Sequence, residues 1–153
     1  MRNLDAFKRN VYSQNGEDGV LAELLRRMGI ASGFFVEFGA WDGITFSNTR
    51  HLLEQGWSGV YIEADPERFA ALVCNCVGSL DRVELVHAIV TPFGESSLDR
   101  ILARTRTPLR FDVLVEGCVL LEVKAVDRIM PLHKAQLLSY MKLLNVPLGL
   151  LIN

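Results

Sequence analysis

Two groups of residues in this chain have types and spacings that could do chemistry. The first lies in Phe35-Val36-Glu37-Phe38-Gly39-Ala40-Trp41-Asp42-Gly43. An apolar run enters a turn with glycines four apart, where a ligand can reach the backbone without meeting a side chain. Glu37, near the end of the run, can pair with a ligand's ammonium group or orient the turn amides, and Ala40 and Asp42 sit within the turn. A second apolar run, Val60-Tyr61-Ile62, ends on Glu63, 24 residues after Gly39. An acid so placed is suited to accepting hydrogen bonds from ribose hydroxyls. The plainer reading keeps Gly39 and Gly43 as turn residues and Glu63 as a helix-capping or surface acid.

The second group is Asp112 with Glu122-Val123-Lys124. Strand alternation puts Glu122 and Lys124 on one face and Leu121, Val123 and Ala125 on the other. Asp112 can join the first pair across a hairpin. Two carboxylates holding Mg²⁺ beside a lysine suit phosphodiester hydrolysis, with the ion activating water and the lysine steadying the developing charge. Gln136 and Tyr140, four apart on the following helix, share a face and can support such a site. On spacing alone the solvent face of an amphipathic strand is the first reading of Glu122 and Lys124. Other candidates are thinner. Trp41 and Trp57 could stack a ligand, with Trp57 reading as a packing aromatic. Arg100, Arg104, Arg106 and Arg110 form a basic run that reads as a solvated helix face. His51, His87 and His133 are scattered, and no Ser or Cys stands in a nucleophile context.

The elements that must position these residues follow from periodicity and punctuation. Asn15 is the expected cap of a helix whose apolar positions run from Val20 to Met28 and which Gly29 closes. Strands are expected at 34–38, 60–62 and 83–90, and helices from Ser47 or Asn48 to Gly56, from Asp65-Pro66, and from Ser96 or Ser97 through Leu102. Strand and helix alternate, which implies an α/β fold with a parallel sheet and helical crossovers. Beyond Pro108 the pattern changes. Strands near 111–115 and 119–125 are separated only by Glu116-Gly117-Cys118, so a β-hairpin is expected, then a helix over 131–144 and a final strand over 147–152.

The bulk properties agree with a globular protein. Of 153 residues, 50% are hydrophobic and 22% charged, and the net charge of −2 gives no global case for binding nucleic acid. Charge is uneven: residues 1–99 carry 8 Lys/Arg against 14 Asp/Glu, and residues 100–153 carry 8 against 4. Cys74, Cys76 and Cys118 lack the spacing of a zinc site or a disulfide framework and read as small buried or half-buried hydrophobes. No apolar stretch is long enough for a membrane span and the N-terminus has no signal core, so a soluble, cytoplasmic protein without a membrane partner is expected.

Several segments resemble the FkbM family of methyltransferases. They are Tyr12-Ser13-Gln14-Asn15-Gly16-Glu17-Asp18-Gly19, Val36 to Gly43, Ser47-Asn48-Thr49, Gly56-Trp57-Ser58-Gly59, Ile62-Glu63-Ala64-Asp65-Pro66 and Ser96 to Leu102. The resemblance covers about residues 10–114. It implies a Rossmann-like fold and S-adenosylmethionine as cofactor, with Glu37, Gly39 and Gly43 at the methionine end, Glu63 on the ribose, and His87 and Ala88 near the adenine. Val115-Glu116-Gly117-Cys118 stands where the family would place a run of the type Ser-Ile-Asp-Ile-Asp-Gly. The acceptor side is therefore expected to be incomplete, and no methyl acceptor is indicated.

From about residue 111 a different likeness takes over. Phe111 to Gly117, Leu121 to Val126, His133 to Tyr140 and Gly149 to Asn153 resemble the GxxExxY proteins, a group similar to PD-(D/E)XK nucleases. That resemblance implies a nuclease-like fragment over 111–153 that uses Asp112, Glu122 and Lys124 with Mg²⁺ and takes nucleic acid as its partner. The chain thus reads as a methyltransferase-like unit, 1–110, joined to a nuclease-like one whose strands and helix are able to complete the same sheet. S-adenosylmethionine binding is the first expectation, metal-dependent nuclease chemistry the second, and a non-catalytic fusion remnant the third.

Overall fold

The computed structural model describes residues 4–91, 93–107, 119–123 and 148–152. The chain divides into two compact units, Met1–Thr107 and Pro108–Asn153.

The first unit is built on three parallel strands, β1 (Phe34–Phe38), β2 (Ser58–Glu63) and β3 (Val83–His87), in the order β1-β2-β3. Val60, Tyr61 and Ile62 of β2 are fully buried, as expected where a parallel sheet is covered on both faces. Gly59 belongs to that strand for a packing reason: a β-carbon there would stand 2.5 Å from the Phe35 ring. Phe35 in turn tilts against Tyr61, with ring centroids 5.1 Å apart. The α/β class expected from the alternation is the class observed.

Among the described residues four α-helices accompany the sheet: α1 (Glu17–Met28), α2 (Arg50–Glu54), α3 (Pro66–Cys76) and α4 (Leu98–Leu102). Helix α3 starts as its sequence requires, with Asp65 accepting from the amides of Glu67 and Arg68 at 3.0 and 2.9 Å. Gly29 closes α1 at φ 72°. The start of α1 differs from expectation. The cap position is Gly16, at φ 92°, and Asn15 instead donates to Glu17. Asp18 supplies the reason. Its Oδ2 accepts from the amides of Val11, Tyr12 and Ser13 and from Ser13 Oγ, at 2.7 to 2.8 Å, which draws the preceding loop back over the helix. Strand β3 ends at His87, short of the expected residue 90.

In the second unit β4 (Val119–Val123) pairs in parallel with β5 (Leu148–Ile152), from Val119↔Leu148 to Val123↔Ile152. The hairpin partner expected at 111–115 and the helix expected over 131–144 lie outside the described residues. A parallel pair needs a crossover of a dozen or more residues, which residues 124–147 are long enough to supply. Among the described residues no helix is long and apolar enough to cross a membrane.

Candidate functional site

The register Phe38↔Ile62 and Glu63↔His87 sets the carboxyl ends of β1, β2 and β3 side by side. This is the end at which open α/β sheets bind ligands. Gly39 to Gly43, Glu63, His87 and Ala88 all fall there, so the fold gathers the N-terminal candidates at one place. Their polar side chains are largely engaged by the surrounding backbone and by neighbouring residues.

Glu63 is 5% exposed. Its Oε2 accepts from the Trp41 amide at 2.7 Å, and its Oε1 accepts from the amides of Ala64 and Asp65 at 2.9 and 2.8 Å. The carboxylate at the tip of the central strand therefore ties the turn after β1 to the start of α3. A ribose there would have to share oxygens that already hold three amides.

Glu37 points its carboxylate away from the turn and into the start of α2. Oε2 accepts from Ser47 Oγ at 2.8 Å and Thr49 Oγ1 at 2.6 Å, and Oε1 from the Asn48 amide at 3.1 Å. Burial raises its pKa above the ordinary glutamate range, although the hydroxyls of Thr49 and Ser47 and the Asn48 amide work in the opposite direction. The residue as a whole is half-buried, while its carboxyl is buried. Thr49 also reaches Tyr61 Oη, and burial, with Glu37 nearby, raises the Tyr61 pKa. Sequence reading placed Glu37 toward an ammonium ligand or the turn amides. The structure gives it the Ser47–Thr49 segment instead.

Asp42 is engaged within its own turn. It accepts from the amides of Ile44 and Thr45 at 2.9 and 2.6 Å and from Thr45 Oγ1 at 2.8 Å. Desolvation pushes its pKa up, but those donors outweigh it and the net shift is down. The two glycines differ. A β-carbon at Gly43, where φ is 72°, would stand 2.6 Å from Leu72 Cδ1, so its missing side chain serves the approach of α3. A β-carbon at Gly39, where φ is 68°, would meet nothing within 4 Å. Only Gly39 keeps open space beside it. Ala40 is buried and its methyl belongs to the core. His87 stacks on Phe69, with centroids 4.9 Å apart, and its Nε2 lies 3.0 Å from the Ala64 carbonyl. The Ala88 amide donates to the Glu63 carbonyl at 3.0 Å.

Sequence reading missed the partners that make this arrangement: Ser47 and Thr49 for Glu37, Leu72 for Gly43, and Arg68, whose guanidinium lies 4.2 Å from the Trp41 ring centroid. None is at a spacing that local patterns report. Trp57 is buried, in keeping with its reading as a packing aromatic, and Trp41 is exposed. Cys76 is buried but Cys74 is exposed, against expectation. In the basic run Arg104 pairs with Glu95 and Arg106 with Glu84.

Of the C-terminal candidates, Glu122 stands at the fourth position of β4, in register with Leu151. Asp112, Lys124, Gln136 and Tyr140 lie outside the described residues. Among those that are described, no group of three or more His, Cys, Asp or Glu residues is arranged to hold a metal ion.

Comparison with known proteins bears on this second group. Residues 102–153 match the family model of the PD-(D/E)XK nuclease superfamily. No curated protein and no solved structure matches the chain. The likeness of the C-terminal segment to nucleases thus has independent support, and the methyltransferase likeness of residues 10–114 has none from these comparisons.

Proposed function

We propose that this chain is a nuclease-like protein whose C-terminal segment cleaves phosphodiester bonds with a divalent metal ion. The observation that carries the reading is the superfamily match over residues 102–153, which contains Asp112, Glu122 and Lys124. The donor set fits the ion: two carboxylates offer the hard oxygen ligands that Mg²⁺ takes. Asp112 and Glu122 would hold it, and when bound it supplies an activated water and neutralises phosphate charge. Lys124, two residues after Glu122, offers a point charge to the phosphate as negative charge develops. The test is incubation of the purified chain with linear DNA in Mg²⁺ or Mn²⁺. Cleavage should disappear with chelator, in Glu122→Ala and in Lys124→Ala. Absence of metal-dependent cleavage, or its persistence in Lys124→Ala, overturns the reading.

A second reading, S-adenosylmethionine binding by the N-terminal unit, is favoured by one observation: the aligned carboxyl ends of three parallel strands with an acid at the central tip. At ligand 100-fold above its dissociation constant, binding to the folded state alone adds about 2.7 kcal/mol. A thermal-melt series with S-adenosylmethionine and S-adenosylhomocysteine should then rise by several degrees. An unchanged melt removes this reading and leaves the first intact.

A further inference from the structure

The turn after β1 carries two backbone outliers, and both are aromatic. Trp41 sits at φ 53° and Phe46 at φ 59°, a region that bulky L-residues avoid. Each such residue costs on the order of 1–3 kcal/mol and persists only where its surroundings hold it. Here the holders are visible. Glu63 grips the Trp41 amide, Asp42 grips the amides of Ile44 and Thr45, and Glu37 grips the segment from Ser47 to Thr49.

The core gains little in return. Trp41 is 39% exposed and Phe46 48% exposed. The two rings meet edge to face, with centroids 6.2 Å apart at 80°. Glycine or asparagine at either position would make the same turn with less strain. The constellation is thus held out toward solvent against both backbone preference and burial, which is where a functional explanation is called for.

Arg68 gives the surface its chemistry. Its guanidinium lies over the Trp41 ring and forms no ion pair among the described residues. In the same turn and at the start of α3, Asp42, Glu63 and Asp65 all accept from backbone amides. Open space lies beside Gly39 in the same turn. With Arg68 over one face of the indole, the opposite face is the stacking plane for a base, and the guanidinium is a forked donor for phosphate.

We propose that Trp41, Phe46 and Arg68 form a binding platform for a nucleotide, the base stacking on Trp41 and the phosphate pairing with Arg68. The ligand is a phosphorylated nucleobase, either a free nucleotide or an unpaired nucleotide of a strand. The platform belongs to the N-terminal unit and depends neither on the metal chemistry of the C-terminal segment nor on S-adenosylmethionine.

The full chain is dialysed to equilibrium, in chelator so that no metal-dependent cleavage occurs, against adenosine 5′-monophosphate, adenosine and a short single-stranded oligodeoxythymidylate. The expected result is saturable binding of the monophosphate or the oligonucleotide, with quenching of the Trp41 fluorescence. Binding of the monophosphate assigns the site to free nucleotides, and binding of the oligonucleotide alone assigns it to a strand. Loss of one stacked base weakens binding about 10-fold or more, and Trp41→Gly should do so. That variant relieves the positive φ, so it should melt no more than slightly below the parent, and Trp41→Asn serves as a second check. Arg68→Ala should weaken the monophosphate about 10-fold, and by more than it weakens adenosine. Absence of saturable binding by either phosphorylated probe overturns the proposal, as does equal affinity in folded Trp41→Gly. Equal affinity for adenosine and its monophosphate overturns the role of Arg68.

Discussion

Among single residues, Asp18 and Glu37 are the carboxylates whose surroundings make the clearest demands, and in opposite senses. Asp18 is 2% exposed and gathers three amides and a hydroxyl on Oδ2, while Oδ1 has no hydrogen-bond partner among the described residues. Burial raises its pKa, but the donors from Ser13, Val11 and Tyr12 outweigh it, so the net value is lowered. A lowered acid contributes stability above its unfolded pKa, which is lost as pH falls through the folded one. Asp18→Ala, which strands those donors, should cost about 1–3 kcal/mol at neutral pH. The penalty should shrink below about pH 4, as denaturant melts of the two proteins across pH would show. Glu37 has the reverse sign. Its raised pKa contributes stability that is present below the unfolded value and lost as pH rises through the folded one. Glu37→Gln keeps the shape without the buried charge. It should melt at or above the parent at pH 8, with the difference closing toward pH 4. A variant that melts well below the parent at pH 8 would show that charge is needed to hold Ser47 and Thr49.

At the scale of elements, the turn between β1 and α2 is where sequence and structure part most usefully. Its two glycines look equivalent in a sequence, since both punctuate a turn, and both have positive φ in the structure. Their surroundings separate them. Gly39→Ala meets open space and should cost only the backbone term, about 1–2 kcal/mol. Gly43→Ala adds a collision with the buried Leu72 of α3, and overpacking of that kind adds about 1–3 kcal/mol. Thermal melts of the two variants should rank them in that order, and equal losses would mean that α3 shifts freely. A similar argument holds in β2. Gly59→Ala puts a methyl into the Phe35 ring within the buried strand β2, and should lower the melting temperature more than Gly39→Ala does. Helix starts were readable where one side chain does the capping, as at Asp65, and misread where a carboxylate from further along reaches back, as at Asp18.

At the scale of the molecule, the N-terminal unit has an apolar core of its own, from Val20 to Leu102. A chain ending at Thr107 should therefore retain a cooperative thermal melt and helical circular dichroism. It should lack the metal-dependent cleavage assigned to the C-terminal segment. A molten, non-cooperative product would show that residues 108–153 are needed to complete the first unit. The uneven charge along the chain, acidic before residue 100 and basic after it, agrees with a phosphate-directed role for the later part.

The alternation of apolar runs with capped helices was enough to determine an α/β class with parallel strands, because a short link cannot join parallel strands and a helical one can. It also located the first two strand tips, with Gly39 and Glu63 at one end of the sheet, while the third strand ends at His87, short of the residue 90 expected. The likeness of the C-terminal segment to nucleases was legible for a related reason: it rests on short local runs, among them Leu121 to Val126 and His133 to Tyr140. What each tip residue touches was beyond the sequence, since the partners are set by packing between elements far apart in the chain. Only the tertiary structure turned Glu37 toward Ser47 and Thr49, filled the space at Gly43 with Leu72, and laid Arg68 over Trp41. It also paired β4 with β5 across 24 intervening residues, because strand order depends on which edges meet and a sequence shows only which segments are strands.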